Sequence, residues 1–165
     1  MFFVLPYKIE RRTSGIAWVT ITLVALNVIV FVGTWLQLER IAPAFGFTWG
    51  LTGLYTWFTS LFLHGDPFHL AFNMFFLWLF GSFVEDAIGP WRFLALFLLG
   101  GLVADLSHVG VTALFTPQYL SMPAIGASGA LAAVMGLFMV RFYKHRVRIA
   151  YFFLILFYPK WGIWK

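Results

Sequence analysis

Apolar runs of near-membrane-spanning length recur four times along the chain, at about residues 15–36, 66–88, 93–114 and 124–142. A helix rising 1.5 Å per residue needs roughly 20 residues to cross about 30 Å of hydrocarbon, which these runs meet or approach. The second run opens on Asp66-Pro67, a capping residue followed by proline at the first helical position, and breaks at Gly89-Pro90. Glu85 and Asp86 at its far end read as solvated or capping groups. The fourth run is expected to use Ser121 as its cap and to hold Pro123 in its first turn, which would put Ser128 about one turn inside the helix. Between the first two runs, residues 37–65 alternate Gly, Thr and aromatics with aliphatics. That density of Trp and Tyr suits the bilayer interface and predicts a long outer loop, partly helical and partly sunk among headgroups. Residues 149–158 are apolar but span only about 15 Å as a helix, and they read as an interfacial segment leading into a further span. The pattern predicts an all-α, polytopic membrane protein with four full spans and the lead-in to a fifth. It reads as a single domain over 1–165, incomplete at its C-terminus.

Charge orients this arrangement. Lys8, Arg11 and Arg12 precede the first run, Arg92 lies between the second and third, and Arg141, Lys144, His145, Arg146 and Arg148 follow the fourth. Positive flanks stay in the cytoplasm, so the N-terminus is expected inside and the start of the second and fourth spans outside. Hydrophobic residues make up 62% of the chain and charged residues 10%, with mean hydropathy +0.89, beyond the range of soluble domains. The net charge of +5 sits at span ends, where topology needs it, and so implies a lipid bilayer rather than nucleic acid as partner. Cysteine is absent, which removes disulfide and thiolate chemistry. Met1–Pro6 is too short for a cleavable signal peptide. The compact form suits a bacterial plasma membrane. No cofactor or metal is expected, because His64, His69, His108 and His145 do not share one depth as facing ligands in a bundle would.

Polar residues inside spans are costly and mark functional candidates. His69 and Asn73 are spaced i,i+4 on one face of the second span, about one turn from its outer end. Ser128, between Gly126 and Gly129, falls at matching depth on the fourth, all three within about 10 Å of the outer surface. A serine can attack a carbonyl if a base takes its proton. The Asn73 amide, the His69 ring N–H and the Ser128 backbone N–H are donors suited to a developing oxyanion. Taken singly, G-x-S-G would serve helix packing and the His/Asn pair would make interhelical hydrogen bonds. Their shared depth favours catalysis. Asp105 and His108, i,i+3 on the third span, read as a structural pair. Ser128, Ala132 and Gly136 form a small-residue stripe suited to close helix packing.

The stretch Leu63-His64-Gly65-Asp66-Pro67-Phe68-His69-Leu70-Ala71-Phe72-Asn73-Met74, continuing to Val84-Glu85-Asp86, resembles the second transmembrane helix of rhomboid intramembrane serine proteases. Gly126-Ala127-Ser128-Gly129-Ala130 resembles their G-x-S-G signature, in the right order and two spans later. The resemblance covers the chain from about residue 15. It implies a rhomboid-like bundle, Ser128 as nucleophile, His69 and Asn73 in the oxyanion hole, and Gly126, Gly129 and His64 in support. It further implies transmembrane protein substrates, cleaved near the outer membrane surface. The base would be a histidine on the family's sixth helix, beyond this chain, so the printed chain alone is expected to be inactive. The alternative is a non-catalytic rhomboid-like module that binds transmembrane partners. Trp57-Phe58 stands about where many relatives carry an arginine, a departure expected to loosen the outer loop.

Overall fold

The computed structural model describes residues 2–9, 15–50, 53–143, 147–155 and 158–164, and gives only the backbone course of 2–9, 147–155 and 158–164. Its helices are α1 (Trp18–Thr34), α2 (Leu38–Phe45), α3 (Thr56–Thr59), α4 (Pro67–Ile88), α5 (Pro90–Phe115) and α6 (Ser128–Arg141). The α4 start follows its local chemistry: the Asp66 carboxylate accepts from the N–H groups of Phe68 and His69 at 2.8 and 2.9 Å, with Pro67 in the first turn. A π-helical stretch, Leu77–Gly81, widens α4 midway. Gly89, at φ +88°, turns the chain directly into α5.

The protein is a helical membrane protein, but its span count differs from expectation. Three stretches among the described residues are long and apolar enough to cross a bilayer: Trp18–Phe45, Pro67–Ile88 and Pro90–Phe115. The fourth expected span is shortened to the 14 residues of α6, about 21 Å, because its first turn does not form. Ala124 instead pairs both its N–H and its C=O with Phe47, at 2.8 and 2.9 Å. Gly126 gives its N–H to the Ser60 carbonyl at 2.8 Å and adopts φ +115°, a conformation no α-helix contains. With those backbone groups committed elsewhere, the helix begins at Ser128, and neither Ser121 nor Pro123 belongs to it.

The described part of residues 37–65 is partly helical, as its pattern suggests, and two side-chain hydrogen bonds tie its halves together. Tyr55 and Thr59 donate their hydroxyls to the carbonyls of Ala44 and Phe45 at 2.9 and 2.6 Å. Trp57 packs edge-on against Phe47, ring centres 5.9 Å apart.

The core runs between α1, α4, α5 and α6, through Leu23, Leu77, Val84, Phe93, Phe97 and Val134. Trp91, Leu99, Val103 and Leu114 of α5 face outward, as a lipid-facing helix requires. Close approach of α5 and α6 rests on Gly100 against Ala133 and Gly129 against Ala104: a Cβ on either glycine would overlap the facing methyl. The expected stripe of Ser128, Ala132 and Gly136 is one residue out of phase with this contact and lies exposed. At the chain's ends, Phe2–Ile9 pairs antiparallel with Val147–Ile155, which pairs with Tyr158–Trp164. Of the segment 149–158, residues 149–155 and 158 run as extended strand rather than interfacial helix, in keeping with their aromatic and β-branched content. Arg11, Arg12, Lys144, His145 and Arg146, on which the expected orientation partly rests, lie outside the described residues.

Glu85 caps a helix, but not its own. Its buried carboxylate accepts from Val19 N–H at 2.9 Å, Thr20 N–H at 2.7 Å and the Thr20 hydroxyl at 2.8 Å. Those two amides belong to the first turn of α1, whose N-cap residue, Ala17, has no side chain able to satisfy them. Glu85→Ala is expected to lower unfolding free energy by about 3 kcal/mol, since three donors lose a charged acceptor at once. Glu85→Gln should cost less. Thermal or denaturant unfolding in micelles measures both.

Candidate active site

The cap at Asp66 fixes where His69 and Asn73 stand. His69 occupies the third position of α4, and Asn73 follows one turn later on the same face. The Ser60–Gly126 hydrogen bond brings the loop before α6 onto that face. A Cβ placed on Gly126 would lie 2.8 Å from His69 Nε2 and 3.8 Å from Asn73 Nδ2, so only glycine fits between the loop and the two side chains. Ser128 opens α6 two residues further on and is exposed. Its N–H is one of the donors that a helix start leaves without a carbonyl partner. His69, Asn73 and Gly126 thus converge, and Ser128, two residues beyond Gly126, stands about one turn nearer the helix start than its sequence suggests.

The tautomer of His69 follows from its partner. Gly65 N–H approaches Nδ1 at 3.4 Å, making Nδ1 the acceptor and leaving the proton on Nε2, the nitrogen that faces Gly126. Asn73 is buried, and its Nδ2 has no hydrogen-bond acceptor among the described residues. An amide donor held this way is costly unless something else uses it.

His64, fully buried just before α4, stacks edge-on against His69 with ring centres 5.0 Å apart. Its Nδ1 lies 3.4 Å from the Phe62 carbonyl. Burial, and then the neighbouring His69, push its pKa down to about 4, so it stays neutral at physiological pH. The unfolded chain binds this proton near pH 6.5 while the folded one does not until about 4. The stabilisation is therefore complete above pH 6.5 and is lost as pH falls toward 4. The melting temperature in detergent should drop across that window, and His64→Gln should flatten the drop.

One expectation about neighbouring residues changes. Asp105 does not pair with His108: its Oδ2 accepts from the Ser60 hydroxyl at 3.4 Å, while His108 is exposed and lines a small cavity with Thr48 and Trp49. The part played by Ser60 had no signal in the sequence, because its contact with Gly126 is made by the backbone. Gly129 holds α6 against α5, where a Cβ would meet Ala104. Among the described residues, no cluster of His, Cys, Asp and Glu could hold a metal ion.

A family model described as the Rhomboid domain matches residues 51–164. The human presenilin-associated rhomboid-like protein, mitochondrial, is 34% identical over 93 residues, 56% of this chain and 24% of that protein. Rhomboid-like protein 11, chloroplastic, of Arabidopsis thaliana is 29% identical over 133 residues, covering 81% of this chain and 43% of the relative. Rhomboid protease GluP of Bacillus subtilis is 36% identical over 78 residues, 47% of this chain and 14% of its own length. The matched region thus spans less than half of each relative. Two of the three carry organellar names, so these similarities do not support the bacterial plasma membrane expected from the sequence.

Proposed function

Since the chain belongs to the rhomboid family, we propose that it forms the nucleophile and oxyanion-hole portion of an intramembrane serine endopeptidase. In this reading Ser128 Oγ attacks the scissile carbonyl carbon and gives its proton to a base. The carbonyl π pair moves onto oxygen, and the oxyanion is held by His69 Nε2–H, Asn73 Nδ2–H and Ser128 N–H. Collapse of the tetrahedral intermediate breaks the C–N bond, and the protonated base supplies the leaving amine with its proton. Water then releases the acyl group from Ser128. The base in this scheme is the histidine that the family places on a later helix. None of the described histidines suits the role, because His69 is committed as a donor, His64 is buried against it, and His108 lines a separate cavity.

The observation that carries the reading is the buried, unpartnered Asn73 amide beside His69 Nε2 and Gly126. An interhelical packing role would have paired it. The substrates in this proposal are transmembrane segments of other proteins. A carbonyl within a regular helix is tied to its own N–H partner, so the scissile bond would lie where Gly or Pro weakens the helix near the outer surface. The orientation proposed is N-terminus inside, with the starts of α4 and α6 outward.

The test uses the full-length protein in nanodiscs, treated with a fluorophosphonate probe and mapped by mass spectrometry. The expected result is a single phosphonylated residue, Ser128, together with cleavage of a labelled single-span peptide that the probe blocks. Probe adducts found only elsewhere, or cleavage that survives complete labelling of Ser128, would overturn the assignment.

A further inference from the structure

The face of α5 that turns inward carries Phe93, Phe97 and Gly101 at intervals of four, and the next position in that series is Asp105. Each makes sense except the last. Phe93 and Phe97 fill the core, and Gly101 is pressed against Leu61, where a Cβ would lie 2.6 Å from Cδ2. Asp105 is a half-buried carboxylate on a membrane-spanning helix, a costly group that the proposed reaction does not use. Its Oδ2 accepts from the hydroxyl of Ser60, the residue next to Leu61. Ser60 is itself buried, and its backbone carbonyl holds the Gly126 N–H at 2.8 Å. Gly126 in turn fits against His69 and Asn73 with no room for a Cβ. A continuous chain of contacts therefore runs from Asp105 through Ser60 to the segment that presents Ser128.

We propose that Asp105 is a positioning residue: by anchoring Ser60 it fixes the carbonyl from which Gly126 hangs, and so sets the register of Gly126-Ala127-Ser128 against His69 and Asn73. The physical need is plain. The Ser60 hydroxyl has a second acceptor, the Trp57 carbonyl at 3.4 Å, on its own side of the connection. A bond to Trp57 ties Ser60 only to its own turn; the bond to Asp105 ties that turn to α5, which also packs against α6 through Gly100 and Gly129. Both sides of the Ser128 loop are thereby referred to one rigid helix.

The kinetic part of this inference rests on the protease reading; the structural part does not. The sequence contains two Ile–Gly pairs, Ile88-Gly89 and Ile125-Gly126. Labelling isoleucine at the carbonyl carbon and glycine at nitrogen therefore reports these two amides in the full-length protein in nanodiscs, each identified by loss of its signal in Ile88→Val or Ile125→Val. Gly89 N–H bonds to the Glu85 carbonyl, far from the site along α4, and serves as internal reference. In Asp105→Leu the Gly126 amide should shift and exchange its hydrogen about tenfold faster, with Gly89 unchanged. Asp105→Asn, which keeps an acceptor oxygen, should restore both signals. Cleavage should fall about tenfold in kcat with KM unchanged in Asp105→Leu and recover in Asp105→Asn. An unmoved Gly126 signal in Asp105→Leu, or an asparagine variant no better than leucine, would overturn the proposal. If Asp105→Leu does not fold, Ser60→Ala must reproduce the Gly126 change, because it removes the hydroxyl and keeps the carbonyl; failure to do so also overturns it. Absence of cleavage by the unsubstituted protein would count against the protease reading alone, and the amide signals would still decide the role of Asp105.

Discussion

Ser128→Ala is expected to abolish cleavage by the full-length protein while leaving its stability within about 0.5 kcal/mol of the original. The two halves of that expectation come from different observations. Loss of the attacking oxygen removes the covalent route altogether, and in serine hydrolases such a loss is on the order of 10⁶ in kcat. Stability should be untouched because the Ser128 side chain makes no structural contribution that alanine lacks. The residue is exposed, and the N-cap position of α6 is Ala127, with no side-chain hydrogen bond at the cap. Alanine also has the better helix propensity. Cleavage rate and melting temperature, measured on the same reconstituted preparation, test both halves. Cleavage retained in the variant would remove Ser128 as nucleophile.

How much of this was legible in the sequence depends on whether the deciding partner was local. The start of α4 was legible because Asp66 caps the amides two and three residues ahead, so its chemistry is complete within one turn. The i,i+4 placement of His69 and Asn73 follows from that start. Ser121 and Pro123 offered equally good local signals for α6, yet the helix begins at Ser128. The deciding bonds join Ala124 to Phe47 and Gly126 to Ser60, between segments more than 60 residues apart. Backbone groups make those bonds, and no residue type announces them. Glu85 read as a solvated or capping group; it is buried, and the helix it caps is α1, known only once α4 has packed beside it. The small residues of α6 show the same limit. Periodicity offered the stripe Ser128-Ala132-Gly136, but the positions of Gly100 and Ala104 on α5 select Gly129 and Ala133, one residue on, for packing. That selection leaves the serine stripe exposed, which a nucleophile needs and a packing residue does not.

Asn73→Ala gives the sharpest separation of catalysis from packing, because the two readings predict opposite balances of activity and stability. If the Asn73 amide served to join helices, its removal would cost about 1 kcal/mol of stability and affect cleavage only through folding. Here Nδ2 is buried with no acceptor among the described residues, so its truncation removes no native hydrogen bond at that nitrogen and relieves a desolvated donor. The melting temperature of Asn73→Ala should therefore be unchanged or slightly raised. Cleavage should fall about 10²- to 10³-fold, the usual cost of one oxyanion donor in a site shielded from water. The loss should appear in kcat rather than KM, since the amide meets its acceptor only when negative charge develops on the scissile oxygen. Steady-state kinetics on a single-span substrate, read beside thermal unfolding, decides the matter. A variant that is destabilised but fully active when folded would return Asn73 to the packing role and leave His69 Nε2 and the Ser128 N–H as candidate donors.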